Sequence, residues 1–150
     1  HLLRHDDHYA QKAAHISATT KDISEIIAAE KNQLVAFMKN NSKLPHIAFH
    51  SPCTLQHGMK LNGVVENLLQ SLGFNLAKVA DAHLCCGSAG TYSILQPELS
   101  QQLRANKLTA LCREKPDLLA TANIGCLMHL QAGTDLPVKH WIELLDGVLP

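Results

Sequence analysis

Cysteine and histidine carry the chemistry of this sequence. Cys53 follows Ser51-Pro52, Cys85 and Cys86 are adjacent and run into Gly87, and Cys126 opens Cys126-Leu127-Met128-His129. Adjacent cysteines cannot close an unstrained bridge with each other. In a tight turn both can still serve one site. Gly87 supplies such a turn, and Ser88-Ala89-Gly90 lets backbone amides approach closely. Thiolates beside exposed amides are stabilised as anions, the form in which sulfur holds soft metals and iron–sulfur clusters. The CxxH spacing of Cys126 and His129 allows a turn after a strand to bring two ligands to one centre. A competing reading makes all five cysteines small buried hydrophobes. It suits Cys112, four residues after Leu108 on a helical stripe. It does not suit CysCysGly, because two small thiols in a glycine-rich turn fill little core.

The other histidines sort by surroundings. His5, Asp6, Asp7 and His8 are ligand types, but neighbours on a helix point in different directions, so this stretch reads as a solvated lead-in helix. His50, His57 and His83 each lie near a motif cysteine and are expected as hydrogen-bonded supports. A thiol enzyme is the rival chemistry, with Cys85 or Cys86 as nucleophile and His50, His57, His83 or His129 as base. Ser-His-Asp, P-loop and GxGxxG patterns are absent, which removes the usual nucleotide signatures.

The elements that must position these residues follow from pattern and punctuation. Residues 1–44 are expected to be a helical lead-in and linker, and residues 45–150 a cysteine-rich domain. In the lead-in, Thr19-Thr20-Lys21-Asp22 starts a helix with Ile23, Ile26, Ile27, Leu34 and Met38 on one stripe, ended by Asn40-Asn41-Ser42 and Pro45. HIAFH between Pro45 and Ser51 predicts a first strand. Leu61, Val64, Val65, Leu68, Leu69 and Leu72 predict a helix closed by Gly73. Phe74–Val79 predicts a second strand. Pro97 opens a helix whose inward residues are expected to be Leu99, Leu103, Leu108 and Leu111. Leu118–Ala122 and Val138–Trp141 predict the third and fourth strands, the last running into IELLDGVL. Strands alternating with helices imply an α/β fold, a parallel four-stranded sheet flanked by helices. Cys53, the Cys85-Cys86 pair, Cys126 and His140 then all fall at the carboxyl ends of strands, the ligand-binding edge of open parallel sheets.

Composition sets the boundaries. Thirteen basic and thirteen acidic side chains cancel, so there is no charge excess to hold nucleic acid or an anionic membrane. Aromatic content of 4% leaves little base-stacking surface, while 46% hydrophobic residues suffice for a core. No apolar run approaches the ~18 residues of a spanning helix, so direct membrane insertion is not expected. An odd cysteine count in a chain that needs no staples reads as reduced thiols in a cytoplasmic protein. The first residue is His1, and the chain reads as a piece of a longer protein.

At these motifs the sequence resembles the cysteine-rich CCG domain family, which includes the cysteine-rich subunit of heterodisulfide reductase and the iron–sulfur subunits of glycolate oxidase, lactate-utilisation and anaerobic glycerol-3-phosphate dehydrogenase systems. The shared pattern is one Cys, then CysCysGly, then CxxC. Here it reads Ser51-Pro52-Cys53, Cys85-Cys86-Gly87 and Cys126 through His129. CCGSAGTYSILQPELS, TANIGCLMHL, VKHWIELL and TKDISEII resemble the glycolate oxidase iron–sulfur subunit most, in its second CCG module. The resemblance implies Cys53, Cys85, Cys86 and Cys126 as metal ligands, with His129 where the family has its last Cys. Gly87, Ser88, Gly90, Asn123, Gly125, His50 and His140 are expected to surround the cofactor. An iron–sulfur cluster, of the [4Fe–4S] kind, would pass electrons in a quinone-linked 2-hydroxy-acid (glycolate) dehydrogenase complex. Expected partners are flavin-bearing subunits and the upstream ferredoxin-like and first CCG modules of the same chain. The expected place is cytoplasmic, peripheral at the inner membrane through the complex. The alternative is a structural zinc module without redox role, and an isolated fragment is expected to hold zinc, a disulfide or nothing.

Overall fold

The computed structural model describes residues 2–38 and 44–149. Asn40-Asn41-Ser42, expected as the linker, lie outside the described residues. Among the described residues four strands form one sheet: β1 (His46–His50), β2 (Asn75–Leu76), β3 (Leu118–Thr121) and β4 (Val138–His140). Every pairing is parallel and the order is β2-β1-β3-β4. The fold class is therefore the α/β arrangement expected from the alternation of elements. Four of the five β1 residues are buried, as helices on both faces of a parallel sheet require. β2 is shorter than Phe74–Val79, because only Asn75 and Leu76 find ladder partners, opposite His46 and Ile47.

Side chains alternate across the sheet and divide the core in two. Ile47, Phe49, Ala120 and Trp141 share one cluster with Val65, Leu68 and Leu69 of helix α4 (Val64–Ser71) and with Leu144 and Leu145 of the C-terminal helix. Ala48 and Leu119 face the opposite cluster, with Leu111, Leu130, Val138, Cys86 and Cys126. Gly63 and Gly73 bracket α4 at φ 75° and 92°, left-handed conformations that favour glycine.

Three helical expectations need correction. The lead-in helix is broken at Glu30, giving Ile23–Ala29 and Lys31–Met38; Ile27, Leu34 and Val35 pack against the first cluster, whereas Ile23 and Ile26 are about half exposed. The Asp22–Glu25 capping box fixes the start of the first of these pieces. Ahead of them the helix begins only at Ala10, because Asp6 Oδ1 accepts the amides of His8 and Tyr9 and holds a turn. In the long helix α6 (Pro97–Leu111), Leu99 points outward and the buried positions are Ser100, Lys107 and Leu111. Polar groups occupy that face because each bonds a backbone carbonyl of the loop beneath it.

Candidate metal centre

The strand order reverses direction between β1 and β3, so the loops leaving their carboxyl ends part there and open a crevice. This is the position where open parallel sheets bind ligands. His50 and Thr121 are paired across it as the last residues of their strands. Beyond β1 the chain turns through Ser51-Pro52 into Cys53 and a π-helical turn, Thr54–Gly58. Beyond β3, Asn123 caps helix α7 (Ile124–Gln131), its side chain accepting the Cys126 amide at 3.1 Å. This cap sets Cys126 in the first helical turn, so the CxxH lies on a helix rather than in a turn after the strand.

The Cys85-Cys86-Gly87 turn closes the crevice from a third side. Gly87 has φ 90°, and a Cβ there would lie 2.4 Å from the Ser100 carbonyl oxygen. The Ser100 hydroxyl donates to the Gly87 carbonyl at 2.8 Å, and the Gly87 amide donates to Cys85 Sγ at 3.3 Å. Glycine is thus required by both conformation and close approach. Gly125 is similarly tight, since a Cβ would stand 3.0 Å from Ser88 Oγ.

Three ligand atoms converge at the base of the crevice. Donor atoms of His50, Cys86 and Cys126 all lie within 4.8 Å of one another, and all three residues are buried. Neither His50 ring nitrogen has a hydrogen-bond partner among the described residues, and neither do the buried hydroxyls of Ser51 and Thr121. Burying unpaired polar atoms costs about 1–3 kcal/mol each, so such a cluster of them points to a bound group. Above this trio, Cys53 and Cys85 line the same cavity of about 500 Å³, with Ser88, Gly90, Asn123 and Gly125.

The thiols differ in acidity. Cys86 is lowered to about 4, first by the Cys126 hydrogen bond and then, against the opposing effect of burial, by the His50 imidazole and the Ser88 amide. Its partner Cys126 moves upward, through that same hydrogen bond, burial and the negative charge of Cys86. The pair therefore shares one proton, with the anion on Cys86. Cys53 is raised, first by burial and then by Cys85. Cys112 is half-buried against the second cluster, where burial alone raises it.

The histidines separate. His50 joins the thiols. His129 does not belong to that trio; its Nε2 lies 3.3 Å from Ser100 Oγ, behind the Gly87 turn. His140 caps the C-terminal helix α8 (Trp141–Asp146), Nδ1 accepting the Ile142 amide at 3.4 Å. His57 and His83 are exposed. Sequence reasoning missed Lys107, which is fully buried and donates to the Ala82 carbonyl at 2.9 Å. Its signal was present, since it stands four residues from both Leu103 and Leu111 on an inward stripe.

Fold and site together define a parallel α/β domain with soft ligands gathered at its switch point. The chain belongs to the CCG family, the cysteine-rich domain, which it matches over residues 47–131. It is 47% identical to the glycolate oxidase iron-sulfur subunit of Escherichia coli (strain K12) over 99% of this chain and 35% of that protein. It is 27% identical to the probable glycolate oxidase iron-sulfur subunit of Bacillus subtilis (strain 168), covering 90% of this chain and 30% of the relative. Lactate utilization protein A of Geobacillus thermodenitrificans (strain NG80-2) is 26% identical over 97% of this chain and 62% of its own length. The chain spans about a third of the length of the two glycolate oxidase relatives.

Proposed function

We propose that this chain is the cluster-holding part of an iron–sulfur oxidoreductase subunit that carries electrons from a flavin-bearing partner oxidising a 2-hydroxy acid such as glycolate. The observation that carries this reading is the convergence of Cys86, Cys126 and the unpartnered His50 ring, with Cys53 and Cys85 on the same cavity. Four thiols and an imidazole suit soft-metal and iron–sulfur ligation. A bound cluster would supply one-electron transfer. The chain's own residues do the rest: the Cys86 anion anchors, the Ser88 amide stabilises negative charge on that sulfur, and Ser100 and Asn123 fix the two turns.

On this reading, the ligand set is Cys53, Cys85, Cys86 and Cys126, with His50 rather than His129 as the nitrogen donor. Ser88, Gly90 and Gly125 give backbone room for sulfide, while His129 and His140 support the frame. The quinone link, the upstream ferredoxin-like and first CCG modules, and a cytoplasmic place at the inner membrane belong to the same proposal. Among the described residues no helix is long and apolar enough to cross a membrane. Anaerobic reconstitution with iron and sulfide should give iron bound to the protein and a broad visible absorption band, both lost in Cys126→Ala. Preferential uptake of one zinc with no such band would replace this reading with a structural zinc site, since three thiols and one imidazole also satisfy tetrahedral zinc.

A further inference from the structure

Among the described residues, Lys107 is unusual in being a fully buried ammonium with no buried carboxylate beside it. It sits on α6 and reaches across the floor of the Cys85-Cys86 loop, where its Nζ donates to the carbonyls of Ala82 at 2.9 Å and Asp81 at 3.5 Å. Two carbonyls do not neutralise a cation, and a lone buried charge costs several kcal/mol. The group that pulls on it most is the Cys86 sulfur; the other neighbours act less, and the Asp81 side chain among them is exposed and screened by water. Burial pulls its acidity toward the neutral amine, and these neighbours pull it back, Cys86 foremost. The loop it supports is also shaped around it. Asp81 takes φ 52°, and Gln56 ties the same Ala82 carbonyl to the end of β1 through Ser51 O at 2.6 Å.

We infer that Lys107 is the built-in counter-charge of the cysteine site, its buried ammonium beneath the Cys85-Cys86 loop setting the electrostatic potential felt by the sulfurs and by whatever centre they bind. The part that concerns a cluster rests on the iron–sulfur reading above; the part that concerns the bare thiols does not. A fixed cation beside a centre that becomes more negative on reduction stabilises the reduced form, so removing it must lower the potential. Lysine does this here as a charge and a carbonyl anchor together, which is why arginine is the informative replacement.

Two measurements on the reduced protein separate the claims. In the metal-free form, the alkylation rates of Cys53 and Cys85 with iodoacetate and iodoacetamide are compared, because the ratio of an anionic to a neutral reagent reads local potential. Lys107→Met should lower that ratio roughly threefold or more, as removal of a field of a few kT requires, and Lys107→Arg should restore most of it. Lys107→Gln keeps a donor to the Ala82 carbonyl without the charge, and gives the same answer should Lys107→Met fail to fold. A ratio unchanged in the neutral variants, or lowered equally in Lys107→Arg, overturns the inference. In the reconstituted form, Lys107→Gln should shift the oxidised-to-reduced ratio about tenfold at fixed poise, ~59 mV downward for a one-electron couple. An unchanged potential in a variant that retains its iron likewise overturns it. Failure of wild type to take up iron and sulfide would fail the iron–sulfur reading instead, leaving the alkylation ratio to decide for Lys107.

Discussion

The two faces of the sheet are built from different chemistry. One face buries Ile47, Phe49, Leu55, Val65, Leu68, Leu69, Leu72, Phe74 and Trp141, a continuous hydrocarbon and aromatic layer. The other is thinner, two of its buried members are Cys86 and Cys126, and polar Ser100 and Lys107 fill the α6 positions facing the loop. Large apolar side chains pack densely and make the first face the source of stability. The second face keeps unpaired polar atoms and a buried charge, which cost stability. The difference teaches that this fold separates holding itself together from holding a ligand, with a single β-sheet between the two tasks.

Trp141→Ala should break the first face most severely, costing about 3–5 kcal/mol because a fully buried large side chain leaves a cavity. Urea unfolding reads the loss, while iron per folded molecule should stay at the wild-type value. If iron fell in proportion to the lost stability, the separation of tasks would be wrong. Gly87→Ala acts on the second face. The left-handed backbone alone costs about 1–3 kcal/mol, and the clash with the Ser100 carbonyl must move α6 or the cysteine turn. Thermal melting should therefore fall, and iron uptake should fall with it.

His50→Leu sharpens the comparison, because it separates stability from metal retention. Leucine removes both the cost of two buried ring nitrogens and the support the imidazole gives the Cys86 anion, so the metal-free protein's stability should stay within about 1 kcal/mol of its parent. The same change should weaken retention of iron against a chelator. A metal-free variant less stable than its parent by clearly more than this would show that the His50 ring is paired in solution.

The last effect is in pH. In the unfolded chain both thiols of the Cys86–Cys126 pair titrate near 9.0, whereas in the folded protein Cys86 is lowered to about 4 and Cys126 is raised. Between pH about 4 and 9 the folded pair therefore binds one proton fewer than the unfolded pair. The pair's contribution to stability rises with pH across that window and is lost as pH falls through 4. Above 9 the raised Cys126 reverses the trend. Urea midpoints of the metal-free, reduced protein at pH 5, 6.5 and 8 check this against Cys86→Ala, in which the slope should be shallower.

Much of the design is legible in the order of residues. HIAFH bounded by proline and serine defines β1 to the residue, Pro97 marks the start of α6, and glycine brackets α4. The alternation of strands and helices leads to a parallel sheet, and from there to cysteines gathered at its carboxyl edge. Other features were hidden. Hydrophobic pattern placed Leu99 inside α6, but the helix is rotated so that Ser100 and Lys107 meet the loop carbonyls. Spacing in CxxH pointed to His129 as the partner of Cys126, yet its Nε2 turns to Ser100 Oγ at 3.3 Å, and the imidazole that joins Cys86 and Cys126 is that of His50.

The sequence by itself determined the ligand types, the strand–helix alternation and the glycine at the cysteine turn, because each depends on local sterics or on the period of apolar residues. Only the tertiary structure decided which histidine meets the thiols and which cation lies beneath them. Those choices depend on strand order and helix rotation, which bring His50, Cys86, Cys126 and Lys107 together from four separate segments. Nothing in the spacing of residues along the chain encodes a juxtaposition made by packing across the sheet.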